Sequence, residues 1–254
     1  MPDDEATRIA HDRETHAAWL RGPTSYLAAV ERVELPIGTT RELHGVVVEA
    51  LADGFRVNGE RRGPGTVETG GRHRLRLSHQ NFPAVVILDA ESPRLRGSIG
   101  PRWFPIDPAY RFVLALEPDG GRSDIRTTRD QDRPAERAGW FTFTVGGARL
   151  RVSATRFLEP GGGEVEVYFT DATGGRESYP MRYVPAEPQG DRWLVDFNRA
   201  YNPACAWSPF YNCPIPPPEN RLAVAIRAGE MAPGTPSAAR DEGGAAPWRH
   251  EARS

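Results

Sequence analysis

Residues 140–154 read WFTFTVGGARLRVSA. Phe141, Phe143 and Val145 alternate with Thr142 and Thr144, which places apolar side chains on one face of an extended chain and hydroxyls on the other. Gly146-Gly147 supplies the positive φ angles that a two-residue hairpin turn needs, and Leu150, Val152 and Ala154 return with the same period. A single hairpin with one oily face is marginal in water, so it must pack against further strands. Such strands are legible on both sides. Val46-Val47-Val48 and Phe55-Arg56-Val57 flank Asp53-Gly54, a second hairpin signal. Leu75 and Leu77 alternate with Arg72, Arg74 and Arg76, Ala84 to Leu88 is an apolar run, and Phe112, Leu114 and Leu116 share a face. Val165–Phe169, Tyr179–Val184, Trp193–Phe197 and Leu222–Ile226 complete the set. Strands at this spacing with little helix between them predict a mainly β chain. The expected fold is an antiparallel barrel-like or sandwich domain with an N-terminal helix and a long Pro- and aromatic-rich loop near the C-terminus.

Composition points the same way. Gly 26 and Pro 24 make up about a fifth of the 254 residues, which favours turns and short strands. Residues 3–21 read as a helix closed by Gly22-Pro23; its apolar stripe of Ile9, Ala17 and Leu20 is thin, as on a surface helix. A short second helix is expected over Ser25 to Arg32. The chain thus divides into a helical segment, 1–35, a β-rich domain, 36–231, and a tail, 232–254. The tail is too poor in apolar residues to offset the entropy of ordering and reads as disordered, with Trp248 its one docking candidate.

Several function classes are disfavoured. A net charge of −2 gives no global field to recruit nucleic acid. No apolar run approaches the ~18 residues of a membrane span. The N-terminal MPDDEATRIAHDRETH is polar and acidic, unlike a signal peptide, which makes the cytoplasm the expected location. Every one of the 32 basic residues is Arg. Genomic codon bias and anion recognition by the guanidinium fork both account for that. The row Arg72, Arg74, Arg76 reads as the wet face of a sheet. Gly161-Gly162-Gly163 and Gly174-Gly175 read as turns, since no helix pattern follows to aim its amides at a phosphate.

One stretch stands apart. Residues 196–222, DFNRAYNPACAWSPFYNCPIPPPENRL, show neither helical nor strand period, yet carry Phe197, Tyr201, Trp207, Phe210 and Tyr211, two cysteines and six prolines. Rings and prolines argue for an ordered loop, and long ordered loops commonly carry function.

This stretch, with FTDATGGRESYPMRY before it and Ala228-Gly229-Glu230 after it, resembles a bacterial and archaeal family known as domain of unknown function sixteen-eighty-four. The resemblance runs from about Trp140 to Glu230 and includes FPIDPAYR at 104–111. Asp171, Thr173, Gly174, Glu177, Tyr179, Arg182 and Tyr183 match its earlier motif. Asp196, Asn198, Tyr201, Asn202, Pro203, Cys205, Cys213, Pro214, Pro216, Pro217, Glu219 and Asn220 match the later one. The N-terminal third departs: where the family carries Gly-Leu-x-Trp-Leu, this chain has LAAVERVEL. The resemblance brings no established activity and leaves any cofactor open.

The candidate ligand-binding residues are Glu177, Arg182, Asp196, Asn198, Tyr201, Asn202, Glu219 and Asn220, expected to converge on a small polar molecule beside the 196–221 loop. A hydrolase would instead pair Asp196 with Glu219 or Glu177 as acid and base. A third possibility is a structural or partner-binding module in which these polar groups only satisfy the backbone of a buried loop. Cys205 and Cys213 have no His nearby in sequence to complete a zinc set, so no metal is expected there. They read as free thiols packed among rings.

Overall fold

The computed structural model describes residues 3–80, 82–159 and 162–234. It opens with helix α1 (Asp3–Leu20), followed by eight short strands: β1 (Ala29–Glu34), β2 (Thr40–Leu43), β3 (Val46–Leu51), β4 (Gly54–Val57), β5 (Glu60–Arg62), β6 (Gly65–Glu68), β7 (His73–Ser78) and β8 (Ala84–Asp89). These form two four-stranded antiparallel sheets, ordered β1-β8-β7-β6 and β2-β3-β4-β5. Val46, Val48, Ala50, Phe55 and Val57 of one pack on Leu75, Leu77, Val85 and Ile87 of the other, as the period-two pattern requires. β8 is apolar from Ala84 to Leu88 because both of its faces are covered. Val85 and Ile87 enter this core, whereas Val86 and Leu88 meet Met181, Tyr211 and Cys213 from the C-terminal half.

After the short helix α2 (Pro93–Gly97) come β9 (Arg111–Leu114), β10 (Glu117–Arg122), the small hairpin β11 (Ile125–Arg126) and β12 (Asp132–Arg133), then β13 (Ala135–Val145), β14 (Ala148–Phe157), β15 (Val165–Phe169), β16 (Arg182–Gln189) and β17 (Arg192–Asp196). Seven of them make one sheet in the order β10-β13-β14-β15-β16-β17-β9. Its two edge strands, β9 and β10, are consecutive in the chain, joined through Ala115 and Leu116. Three peptide steps span at most about 11 Å, so the sheet has to curl into a half-barrel whose edges approach at that end. Phe141, Phe143, Val152, Ala154, Val167, Phe169, Val184 and Val195 fill its concave face. Phe197 stacks among them, 5.4 Å from Phe143 and 5.2 Å from Phe169 by ring centroid. Each such buried ring contributes about 1.5–3 kcal/mol relative to an exposed one. The 140–154 hairpin has the expected register, Phe141 opposite Val152 and Val145 opposite Ala148, with Gly146 and Gly147 at φ 56° and 83°.

The structure departs from the sequence-based expectation in places. Only Tyr26–Ala28 of the Ser25–Arg32 stretch is helical, as a single 3-10 turn. The rest is β1, because pairing with β8 outweighs the local preference of an Ala- and Glu-rich run. Leu222–Ile226 is not a strand. It runs as an extended thread along residues 170–172, and its last carbonyl, that of Ile226, is taken by an arginine described below. The row Arg72, Arg74, Arg76 is spoken for: Arg72 pairs with Asp89, Arg74 with Glu68, and Arg76 donates to Thr24 O and lies over Tyr26. The tail expected to be disordered, with Trp248, lies outside the described residues from 235 onward. Among the described residues, no helix is long and apolar enough to cross a membrane.

Candidate functional site

The 196–221 loop is ordered through three 3-10 turns, Phe197–Arg199, Ala204–Ala206 and Pro218–Asn220. Its polar residues do much of the fastening. Asp196 caps the first turn, its Oδ1 accepting from the Asn198 backbone N–H at 2.9 Å and from Asn198 Nδ2 at 2.8 Å. Asn198 in turn grips the 104–111 segment, donating to Asp107 O and accepting from Asp107 N, both at 2.8 Å. Asn220 sits between β14 and β15, with Oδ1 accepting from Ser153 N at 2.7 Å and Nδ2 donating to Ser153 O and Tyr168 O at 2.9 and 2.8 Å.

Arg182 is wholly buried. Its guanidinium donates to Asp171 Oδ1 at 3.0 Å and to the carbonyls of Ile226, Ala228 and Glu230, which is why the 222–230 thread needs no partner strand. Burial lowers the Arg182 pKa, with Asp171 opposing. Asp196 shows the mirror effect: burial raises its pKa, against the bonds from Asn198 and the Arg111 guanidinium 3.7 Å away.

The remaining candidates lie apart. Glu177 makes a two-pronged ion pair with Arg227, and Glu219 stands 3.7 Å from Arg137. Asp196, Glu177 and Glu219 each have partners of their own, and none of these contacts links Asp196 to either of the other two. Among the described residues, no group of His, Cys, Asp and Glu is placed to hold a metal ion.

Asn198 and Tyr201 do share a cleft, of about 260 Å³, between α1 and the first arm of the loop. Helical period brings Glu5, Ile9, Arg13, His16 and Leu20 to one face of α1, and the middle of that stripe forms one wall. Arg13 donates to Phe104 O at 3.0 Å and Asn198 O at 3.1 Å, tying helix to loop, and lies 5.7 Å from the Trp103 ring centre. Burial lowers its pKa, opposed by the charges of Asp196 and Glu230. At the rim, Arg199 bridges Asp12 at 2.6 Å and Glu187 at 2.8 Å.

At the floor is Glu230, with 0% exposure. Its Oε2 accepts from the Asn202 backbone N–H at 2.6 Å, and Asn202 Nδ2 donates to Met231 O at 2.7 Å. Its Oε1 has no hydrogen-bond partner and lies 3.7 Å from His16 Nε2, which also has none. Gly229 makes this approach possible. At φ 75°, a Cβ there would fall 2.5 Å from Ala200 O and 2.6 Å from Phe197 O, so only glycine lets Glu230 reach the loop.

A larger cleft of about 390 Å³ lies between β7 and the β15–β16 face, with Tyr201 common to both. Here Tyr168 and Tyr201 each donate to one oxygen of Glu166 at 2.5 Å, Arg133 pairs with Glu159, and Cys213 lines the wall. Both oxygens of the Glu166 carboxylate are thus engaged, whereas Glu159 Oε2, the Tyr211 hydroxyl and Asn212 Oδ1 in this cleft are buried without partners; the smaller cleft is taken as the candidate site because Asn198 and Tyr201 of the sequence motifs line it together with the unpartnered Glu230 oxygen.

Residues 100–231, just over half of the 254, match the family model described as "Protein of unknown function (DUF1684)". The chain belongs to this family. It is also similar to the uncharacterized protein from gene locus rrnAC0354 of Haloarcula marismortui, known from a solution NMR structure. Identity is 31% over 55% of this chain and 80% of that one, with a TM-score of 0.46. No curated protein matches. The DUF1684 segment supplies Trp103, Asn198, Tyr201 and Glu230 to the smaller cleft, and the stretch before it supplies Arg13 and His16. These last two, with Trp103 and Glu230, escaped the sequence reading. A charged residue within the buried stripe of α1 and a glycine directly before Glu230 were the available signals.

Proposed function

We propose that this DUF1684 protein binds a small polar molecule in the cleft between α1 and the 198–201 arm. The ligand carries a hydroxyl or amino group that donates to Glu230 Oε1 beside His16, and a flat portion that rests on Trp103. The observation that carries this reading is the wholly buried carboxylate of a cleft-lining residue with one oxygen left without a hydrogen-bond partner. Buried carboxylate oxygens are strongly driven to find donors. The volume, about 260 Å³, is just below the ~300–1,000 Å³ of ordinary ligand pockets, which selects a small molecule. Residence in the cytoplasm is part of the same proposal.

A panel of small polyols, amino alcohols and monosaccharides, followed by saturation-transfer NMR, tests the reading. Glu230→Gln replaces the charged acceptor at nearly constant volume. A hydrogen bond to a charged group is worth about 1.5–3 kcal/mol, so any binder found should lose roughly 10- to 150-fold in affinity. Equal binding by wild type and variant rejects this site. The second reading, a fixed structural module, is favoured by Arg182 and Asn220, which bond backbone groups of other elements. Under it no member of the panel binds.

A further inference from the structure

Cys205 and Cys213 are free and meet where the loop folds back on itself. The Cys205 backbone N–H donates to Cys213 Sγ at 3.2 Å, and the Tyr179 hydroxyl lies 3.8 Å from Cys205 Sγ. Cys205 is half-buried, whereas Cys213 is buried among Met181, Tyr211 and Leu88. Cys213 is further held by the Thr128 hydroxyl, which accepts from its N–H at 3.1 Å, and by its own carbonyl, which accepts from Thr128 N at 2.9 Å.

We propose that this pair is an oxidation site for peroxides, with Cys205 as the attacking sulfur and Cys213 as the resolving one. The Cys205 thiolate attacks hydrogen peroxide or an organic hydroperoxide. An S–O bond forms as the O–O bond breaks, leaving a sulfenic acid on Cys205 and hydroxide or alkoxide, which takes up a proton. The Cys213 thiol then attacks the sulfenic sulfur, an S–S bond forms and water leaves. In sum, two thiols and one hydrogen peroxide give one disulfide and two waters, the sulfurs giving up two electrons to the peroxide.

Three features support this division of labour. The more accessible sulfur is the one beside the phenol, which can donate to a thiolate. The Cys205 pKa is lowered by the Cys213 thiol, and further by Tyr179, against the cost of burial. Burial raises the Cys213 pKa, which disfavours its thiolate and leaves Cys205 the readier attacker.

The test uses the full-length, reduced protein with limiting hydrogen peroxide, rapid alkylation and peptide mapping. The expected product is a Cys205–Cys213 disulfide within one chain. In Cys213→Ser, oxidation should stop at a dimedone-reactive sulfenic acid on Cys205. In Cys205→Ser, Cys213 should stay alkylatable, and Tyr179→Phe should slow the wild-type reaction several-fold. Recovery of both thiols alkylated from the folded wild type overturns the proposal. So does a sulfenic acid that forms first on Cys213, or a disulfide found only between chains. The wild-type map decides the matter even where a variant fails to fold.

Discussion

Replacing Asn220 by Ala removes a side chain that acts as a missing piece of sheet. β14 and β15 are paired only at Thr155–Glu166 and Arg156–Val165. Beyond that they diverge, and the Asn220 amide stands between them, serving Ser153 N, Ser153 O and Tyr168 O. Asn220 and Ser153 are buried, so water cannot readily replace the amide. Each buried group left unsatisfied costs about 1–3 kcal/mol. With some relaxation, the sum comes to about 3–6 kcal/mol, a large part of the ~5–15 kcal/mol that holds a domain together. Urea unfolding followed by tryptophan fluorescence should show the loss as a lower midpoint at unchanged slope. Asn220→Asp should be no better than Ala despite its shape, because a carboxylate oxygen would then face the carbonyls that Nδ2 now serves. A loss below ~1 kcal/mol for Asn220→Ala, or full stability for Asn220→Asp, refutes the reasoning.

Arg182→Met should cost about 3–5 kcal/mol, since it strands the buried Asp171 carboxylate and frees the carbonyls of the 222–230 thread. Unfolding midpoints check this, with Asp171→Asn in the same background recovering part of the loss. Asp196 gives a pH signature. Its folded pKa is raised above the ordinary 3.8, so its contribution is most favourable at low pH and fades as pH rises from there through the folded value. Asp196→Asn should remove that slope. Comparing the two proteins from pH 4 to pH 7, the variant should gain on the wild type as pH rises, and a constant difference contradicts the assignment.

Much of the fold was legible because its signals are local and periodic. The 140–154 hairpin, the β3–β4 pair and the apolar β8 each state their face through alternation or its absence. The errors came where distant contacts decide. β1 is a strand because β8 has an edge to fill, and Leu222–Ile226 makes only scattered backbone bonds to residues 170–172 before its last carbonyl, with those of Ala228 and Glu230, goes to one buried guanidinium. The site was legible only in part. The Asp, Asn and Arg residues of the motifs stand out by type, yet their hydrogen bonds show most of them gripping backbone. Asn198 and Tyr201 reach a cleft, but its chemistry depends on Arg13, His16 and Glu230. They come from opposite ends of the chain, with no spacing to link them. Only the docking of α1 onto the loop makes them neighbours.

The indole N–H resonance of Trp103, assigned by its loss in Trp103→Phe, reports on the floor of the smaller cleft without reference to activity. Titrating the same panel of polyols, amino alcohols and monosaccharides should shift it saturably in the wild type, and the shift should vanish or weaken at least ten-fold in Glu230→Gln at equal thermal stability. A Trp103 signal that no compound moves, or one that moves alike in both proteins, contradicts the account.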